Sequence, residues 1–251
     1  MKTMVNKVDL NCDMGEGFGV YRFGFDEEAM PYVTSANLAC GFHASDPMTM
    51  LRAIRLAKKH GVAVGAHPSF PDRVGFGRRL LGASPDEIRA DVIYQIGALA
   101  ALCRSQGVGL THVKAHGALY NLATRDVEVA TAIAEAVKST DRNLTMICLA
   151  GSRMTEAARK AGLRCREEVF ADRGYTRQGT LVPRNLPGAI VHDVGAVVSR
   201  VLLMVREGKV PSVDGEEVPV SAETICVHAD TPGAVEMIRA IRQTLEREGL
   251  V

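Results

Sequence analysis

No charge of one sign dominates this chain: 30 Lys and Arg stand against 29 Asp and Glu, a formal charge of +1. A nucleic-acid surface normally shows as a basic excess or stripe, so nucleic acid is not expected as the main partner. Local basic pairs such as Arg78-Arg79 are left as anion contacts. Long apolar runs are missing too. The longest stretch without a charge or strong polar residue runs from about Ile96 to Cys103, far short of the ~18–20 residues that span a bilayer, so no membrane segment is expected. The opening MKTMVNKVDLNCD has no continuous apolar core before its first acids, which argues against a secretory signal. None of the six cysteines (Cys12, Cys40, Cys103, Cys148, Cys165, Cys226) forms a Cys-x-x-Cys pair, which removes zinc ribbons and thioredoxin-like sites. In a chain this long they read as small buried thiols of a reducing, cytoplasmic compartment. The classical phosphate loop G-x-x-x-x-G-K followed by Ser or Thr is absent, as is the nucleophile elbow G-x-S-x-G. Attack by water with general acid/base help is therefore expected rather than covalent catalysis.

What is present is enough chain and enough apolar material for a core: 251 residues, 47% of them hydrophobic. Seven short β-like runs recur, from Val8 to Cys12, Ala36 to Gly41, Val62 to Ala66, Leu110 to Ala115, Leu144 to Leu149, Cys165 to Phe170 and Thr224 to His228. Helical signatures separate most of them. Asp46 caps a helix with Pro47 at its first position and a stop at His60-Gly61, and Ser84-Pro85-Asp86-Glu87 is a capping box opening a helix that Gly107 ends. Others span about 127–138, 154–161, 194–207 and, from a Thr231-Pro232 start, to about Glu248. Alternating β and α elements imply a parallel sheet with helical crossovers. Since nearly every run ends in polar residues, the expectation is a single α/β domain over 1–251, a seven-stranded parallel β/α barrel of TIM-like type. Two spacings exceed a ~30-residue unit and are expected as rim insertions: about 68–82, and 172–220 with an Asp214-Gly215 hairpin turn.

Polar residues gather at the strand ends. The first run delivers Asp9, Asn11, Asp13 and Glu16, the second His43, the third His67, the fourth Lys114 and His116, the sixth Asp172 and Arg173, and the seventh His228 and Asp230. Counting His112 within the fourth run, five of the seven histidines lie in or near the strand ends, whereas His60 and His192 read as structural. A single strand-end histidine is ordinarily a hydrogen-bonded rim residue, but barrel closure brings all these ends to one mouth. Asn11-x-Asp13-x-x-Glu16 is suited to orient a water, take a proton or bind a cation, or equally to form an Asx-turn and cap. The glycines of Gly15-Glu-Gly17-Phe-Gly19 lack dinucleotide-binding spacing. Lys114 and His116, two apart, project from one strand face. A buried lysine there needs an anion, either a substrate group or a neighbouring carboxylate such as Asp13.

The segments VDLNCDMGEGFG (8–19), TSANLACGFHASDP (34–47), GAHPSFPDRVGFGRR (65–79), KAHGALYN (114–121), EVFADRGY (168–175) and CVHADTPGAV (226–235) together resemble the family of 5-oxoprolinase A subunits, also called the LamB/YcsF lactam-utilisation family. The similarity runs in order over nearly the whole chain. The family pattern more often carries Gly at Ser45, Pro at Ala115 and Gly at Ala229. This resemblance implies a barrel of the glycoside hydrolase/deacetylase type. It also implies ATP-dependent opening of the lactam of 5-oxo-L-proline to L-glutamate, with release of ADP and phosphate, in company with subunits B and C. Amide resonance makes a lactam carbonyl a poor electrophile, and ATP can activate its oxygen as a phosphorylated imidate that water then attacks. On this reading Asp13 is the base, oriented by Asn11 and Glu16, and His43, His67 and His116 serve as acid/base or polar contacts. Lys114, Arg79 and Arg173 hold the substrate carboxylate or phosphoryl group, while Tyr120, Asp172, His228 and Asp230 complete the substrate rim.

Two rival readings stay open: a metal-dependent deacetylase or amide hydrolase with a divalent site of Asp13, His43 and His67, and a non-catalytic lactam-binding protein that docks B and C. ATP, a co-substrate on the leading reading, is held either here by an unfamiliar loop or by a partner. A homo-oligomer is also open.

Overall fold

The computed structural model describes residues 7–228 and 233–251. Seven parallel strands, β1 (Asp9–Met14), β2 (Ser35–Ala39), β3 (Ala63–His67), β4 (Leu110–Val113), β5 (Thr145–Leu149), β6 (Arg164–Phe170) and β9 (Thr224–Cys226), close into a barrel in that order, with β9 pairing back to β1. The expected seven-stranded TIM-like α/β barrel is therefore the observed one. Between β6 and β9 the short strands β7 (Lys209–Pro211) and β8 (Glu217–Pro219) form a separate antiparallel hairpin.

Helices α1 (Asp26–Ala29), α2 (Pro47–His60), α3 (Pro85–Ser105), α4 (Gly117–Ala123), α5 (Val127–Thr140), α6 (Arg153–Ala161), α7 (Val194–Glu207) and α8 (Ala234–Arg247) lie in the crossovers and after the last strand. Local chemistry sets the main ones. Asp46 accepts from Met48 N and Thr49 N at 2.9 and 3.1 Å at the start of α2, and Gly61 ends it at φ 68°. The Ser84–Glu87 capping box opens α3. No helix among the described residues is long and apolar enough to cross a membrane.

Strand residues alternate between two environments. Leu10, Cys12, Leu38, Val64, Ala66, Val113, Met146, Val169 and Ile225 join the apolar core between sheet and helices. The alternate positions fill the barrel itself, and many of them are polar. At its lower end Asp9 accepts from Thr34 Oγ1, Ser35 Oγ and Thr224 Oγ1 at 2.5, 2.8 and 2.6 Å. One layer up, Asn11 donates to Glu168 and Thr224, and Asn37 donates to Asn11 and Asp13. His112 Nε2 stands 2.9 Å from Asn37 Oδ1. A Cβ on Gly65 would lie 2.1 Å from the His112 ring, so glycine there makes room for the imidazole. Buried polar groups are tolerable only when hydrogen-bonded, and this column satisfies them mutually.

The 68–82 insertion carries no regular helix or strand and folds over the barrel mouth, where Phe76 O and Gly77 meet the start of α4. In the longer segment, α7 is the crossover helix itself. The Asp214-Gly215 hairpin packs on the 172–191 stretch through Val213 N to Tyr175 O at 2.9 Å.

Candidate active site

At the C-terminal ends of the strands lies a cavity of about 660 Å³. Its walls include Asp13, Glu16, Asp26, His67, Lys114, His116, Tyr120, Phe170, Arg173 and His228. Lys114, 2% exposed, is the centre of charge at its floor. Its Nζ donates to Glu168 Oε1 at 2.8 Å, Asp13 Oδ1 at 3.1 Å and Asn11 Oδ1 at 3.3 Å, with Cys226 Sγ at 3.0 Å. Burial opposes the ammonium, but Asp13, Cys226 and Glu168 outweigh it and raise the lysine well above its ordinary value. The salt-bridge expectation for Lys114 is met by two carboxylates, and the residue also lines the cavity.

Asp13 faces a second cation. His67 Nε2 lies 3.4 Å from Asp13 Oδ2. Burial alone would raise the Asp13 carboxyl, yet His67 and Lys114 hold it well below the usual carboxylate range. Burial likewise works against charge on His67, and Asp13 reverses the balance so that its pKa is raised. The proton of this pair therefore rests on the imidazole. His116 and His43 are the converse: burial and the neighbouring imidazoles push both well below 6.5, so they are neutral near pH 7. Their rings stack at 3.8 Å, His43 Nε2 is 3.1 Å from Glu16 Oε1, and His116 Nδ1 is 3.0 Å from His67 Nε2.

The rim loop is strained where it meets this cluster. Phe76, whose carbonyl accepts from His116 Nε2 at 2.8 Å, has φ 54°, a region non-glycine residues rarely adopt. A Cβ on Gly77 would come within 2.2 Å of Ser69 Oγ and 2.8 Å of both the His116 and His43 side chains. Ser45 sits at φ 75° with its buried Oγ unpartnered.

Several expectations need correction. Asn11 is fully buried below the cavity wall, committed to Glu168, Thr224, Asn37 and Lys114, so it positions those groups rather than orienting a water. Arg79 is absent from the cavity wall because its guanidinium is held by Asp72, with Nε to Oδ1 at 3.0 Å, while its neighbour Arg78 lines the cavity. Arg173 does reach the wall, but its Nε and Nη2 donate to Ala189 O and Val182 O at 3.0 and 2.6 Å, tying down the rim segment. Asp172 stands behind His228, whose Nδ1 it meets at 2.9 Å. Among the metal candidates, Glu16 rather than Asp13 groups with His43, His67 and His116. Asp230 and the Thr231-Pro232 helix start lie outside the described residues.

Sequence reasoning passed over Glu168, 0% exposed, which accepts from Tyr120 OH at 2.8 Å besides pairing with Lys114. An acid two residues before Phe170 on an otherwise closing strand was the available signal. Arg125 and Arg184 on the cavity wall were also passed over, and nothing in their local sequence marks them.

A closed parallel βα barrel with a charged cluster at the C-terminal strand ends defines a TIM-like barrel protein with a cavity at its mouth. The chain belongs to the LamB/YcsF family, whose profile matches residues 8–251. The 5-oxoprolinase A subunit from Symbiobacterium thermophilum is 56% identical over 98% of this chain and 94% of its own length. Its counterpart from Pyrococcus furiosus is 50% identical over 97% of this chain and 96% of its own length. The crystal structure of a lactam utilization protein from Thermus thermophilus superposes with a TM-score of 0.92 at 54% identity, over 97% of both chains.

Proposed function

We propose that this chain is the A subunit of a cytoplasmic 5-oxoprolinase, which opens the lactam of 5-oxo-L-proline to L-glutamate while ATP is hydrolysed to ADP and phosphate, together with subunits B and C. The observation that carries the reading is the Lys114 ammonium on the cavity floor, flanked by Asp13 and His67. Arg78, Arg125 and Arg184 line the same cavity and suit an anionic substrate, either a carboxylate or a phosphorylated lactam.

The terminal phosphoryl group of ATP passes to the lactam oxygen, one water opens the activated ring to an acyl phosphate, and a second water hydrolyses that acyl phosphate to glutamate and phosphate. Lys114 stabilises negative charge on the oxygen of the activated carbonyl. Asp13 orients the attacking water and receives its proton, and because ion pairing makes it a weak base alone, it works as a unit with His67, which gives a proton to the departing ring nitrogen. With no classical phosphate loop in the chain, ATP is held either by an unfamiliar loop of this chain or by a partner subunit. Partner docking is supported by apolar side chains on the loops at the mouth: Val20 and Val74 are 89% and 92% exposed, and Tyr21 and Leu80 are also exposed.

Glutamate release from 5-oxoproline is measured with this chain alone, with B and C alone, and with all three, with and without ATP. Release that needs all three and ATP is expected. Full activity of B and C alone would leave this chain as a binding protein, and ATP-independent turnover by the chain alone would make it a simple amide hydrolase.

A further inference from the structure

We propose that Glu16, His43, His67 and His116 form a binding site for one divalent transition-metal ion of the zinc class, on the cavity side of the barrel mouth. The donor set is three imidazoles and a carboxylate, the combination that such ions take. The four donor atoms lie within 4.8 Å of one another, and three of their six edges are close to those of an occupied shell. His67 Nε2 and His116 Nδ1 are 3.0 Å apart, His43 Nε2 and Glu16 Oε1 3.1 Å, and His116 Nδ1 and Glu16 Oε1 3.5 Å. An ion about 2.0–2.1 Å from four tetrahedral ligands sets ligand–ligand edges of about 3.3 Å.

The ring orientations point the same way. His67 Nδ1 lies 2.7 Å from Lys114 O, and His116 Nε2 lies 2.8 Å from Phe76 O. Carbonyl oxygens only accept, so both of these outer nitrogens carry hydrogen, and the two inner nitrogens are left to face one another with their lone pairs. Two lone pairs at 3.0 Å repel unless a cation lies between them. A proton on His67 meets that need in the metal-free chain, and a metal ion meets it with both rings neutral. Backbone carbonyls that fix the outer nitrogen of a ligand histidine are the usual outer support of a metal site. The outer nitrogen of His43, Nδ1, is buried without a partner, which makes His43 the least firmly held of the four. The other cluster with donor atoms in reach, Asp13, Cys226 and His228, is a poorer candidate because the Lys114 ammonium already contacts two of its members.

Binding of the ion stands without the lactam reading; only its use in ring opening rests on that reading. A bound ion would supply Lewis acidity, and an activated water only where His43, the least firmly held ligand, left its position open. Asp13, 3.4 Å from His67 Nε2, would be the carboxylate beside such an ion.

The test uses the full chain without an affinity tag, stripped with chelator and dialysed, then loaded with Zn²⁺ or Co²⁺. Metal content is read by mass spectrometry and coordination by the visible absorption of four-coordinate Co²⁺. One ion per chain is expected, with affinity lowered about 100-fold or more in His67→Asn and His116→Asn, less in His43→Asn, and unchanged in Arg79→Ala. Far-UV circular dichroism keeps misfolded variants out of the comparison, and Glu16→Gln offers a near-isosteric fourth variant. Wild-type stoichiometry no higher than that of the His67→Asn/His116→Asn double variant overturns the site. Ion binding that leaves glutamate release indifferent to chelation keeps the site and removes it from the reaction. Glutamate release that needs all three subunits and ATP, by a chain that binds no ion, removes the site and keeps the lactam reading.

Discussion

Replacing Lys114 by methionine puts a side chain of similar length where an ammonium separates two buried carboxylates. Asp13 Oδ1 and Glu168 Oε1 stand 3.1 and 2.8 Å from Nζ, and Glu168 is wholly buried. Without the cation, Glu168 keeps only its bonds from Tyr120 and Asn11. Removing one partner from a buried ion pair costs about 3–5 kcal/mol, because the stranded charge loses its compensation. For a chain of this size that corresponds to a fall in Tm of roughly 6–20 °C. The cost should change little between low and high salt, since counterions do not screen a buried pair. Glu168→Gln added to Lys114→Met should recover most of the lost stability by removing the charge that was stranded, while glutamate release stays abolished. Urea unfolding followed by circular dichroism, at two salt concentrations, gives the four corners of the cycle. A loss under about 1 kcal/mol for Lys114→Met, or a double variant that merely sums the single losses, would refute the assignment of Lys114 as the counter-charge of the cavity floor.

Three further outcomes follow from the same geometry. Ser45→Gly should stabilise the chain by about 1 kcal/mol, because it relieves a left-handed φ of 75° and removes a buried hydroxyl with no partner; unchanged or lower urea midpoints would contradict this. Gly77→Ala should cost at least about 1–3 kcal/mol and most of the activity, since its Cβ has no room beside Ser69, His116 and His43; a variant with wild-type turnover would show that the loop yields freely. Asp26 is pushed up from 3.8 to about 6, first by burial and then by Glu16, Glu28 and Glu27 against the bond from Gly15 N. A raised folded-state pKa favours the fold below pH 4, and that contribution is lost as pH rises through about 6. Asp26→Asn should therefore be more stable than the wild type at pH 7.5, by at most about 3 kcal/mol, with the gap closing towards pH 4; equal unfolding curves at both pH values would remove the effect.

Much of the barrel was legible because parallel strands and crossover helices leave separate marks. The runs around Cys12, Leu38, Val64 and Ile225 are apolar on the helix-facing side, and Asp46 and Ser84 carry explicit caps. The convergence of Asp13, His67, Lys114 and His116 followed from strand ends alone, since closure leaves them nowhere else to go. The barrel's own filling was harder. Asn37, His112 and Glu168 alternate with apolar neighbours, a pattern that ordinarily signals a wet sheet face, and only closure turns that face inward. Arg78 and Arg79 show a different limit. One lines the cavity and the other pairs with Asp72, and the direction of each is set by a glycine-rich loop whose turns adjacent residues do not encode. The short helices α1 and α4, of 4 and 7 residues, escaped notice because neither is long enough to show an apolar helical period.

The polar filling of the barrel has a consequence for how such a chain changes over time. Its oily packing lies in an outer annulus between strands and helices, whereas the column from Asp9 up to Lys114 is a single hydrogen-bonded fabric. Replacements in the annulus can tune heat tolerance one residue at a time and leave the chemistry alone. Replacements in the column must arrive in matched sets, so lineages that adapt to hot or cold habitats should diverge outside the barrel wall and stay nearly frozen within it.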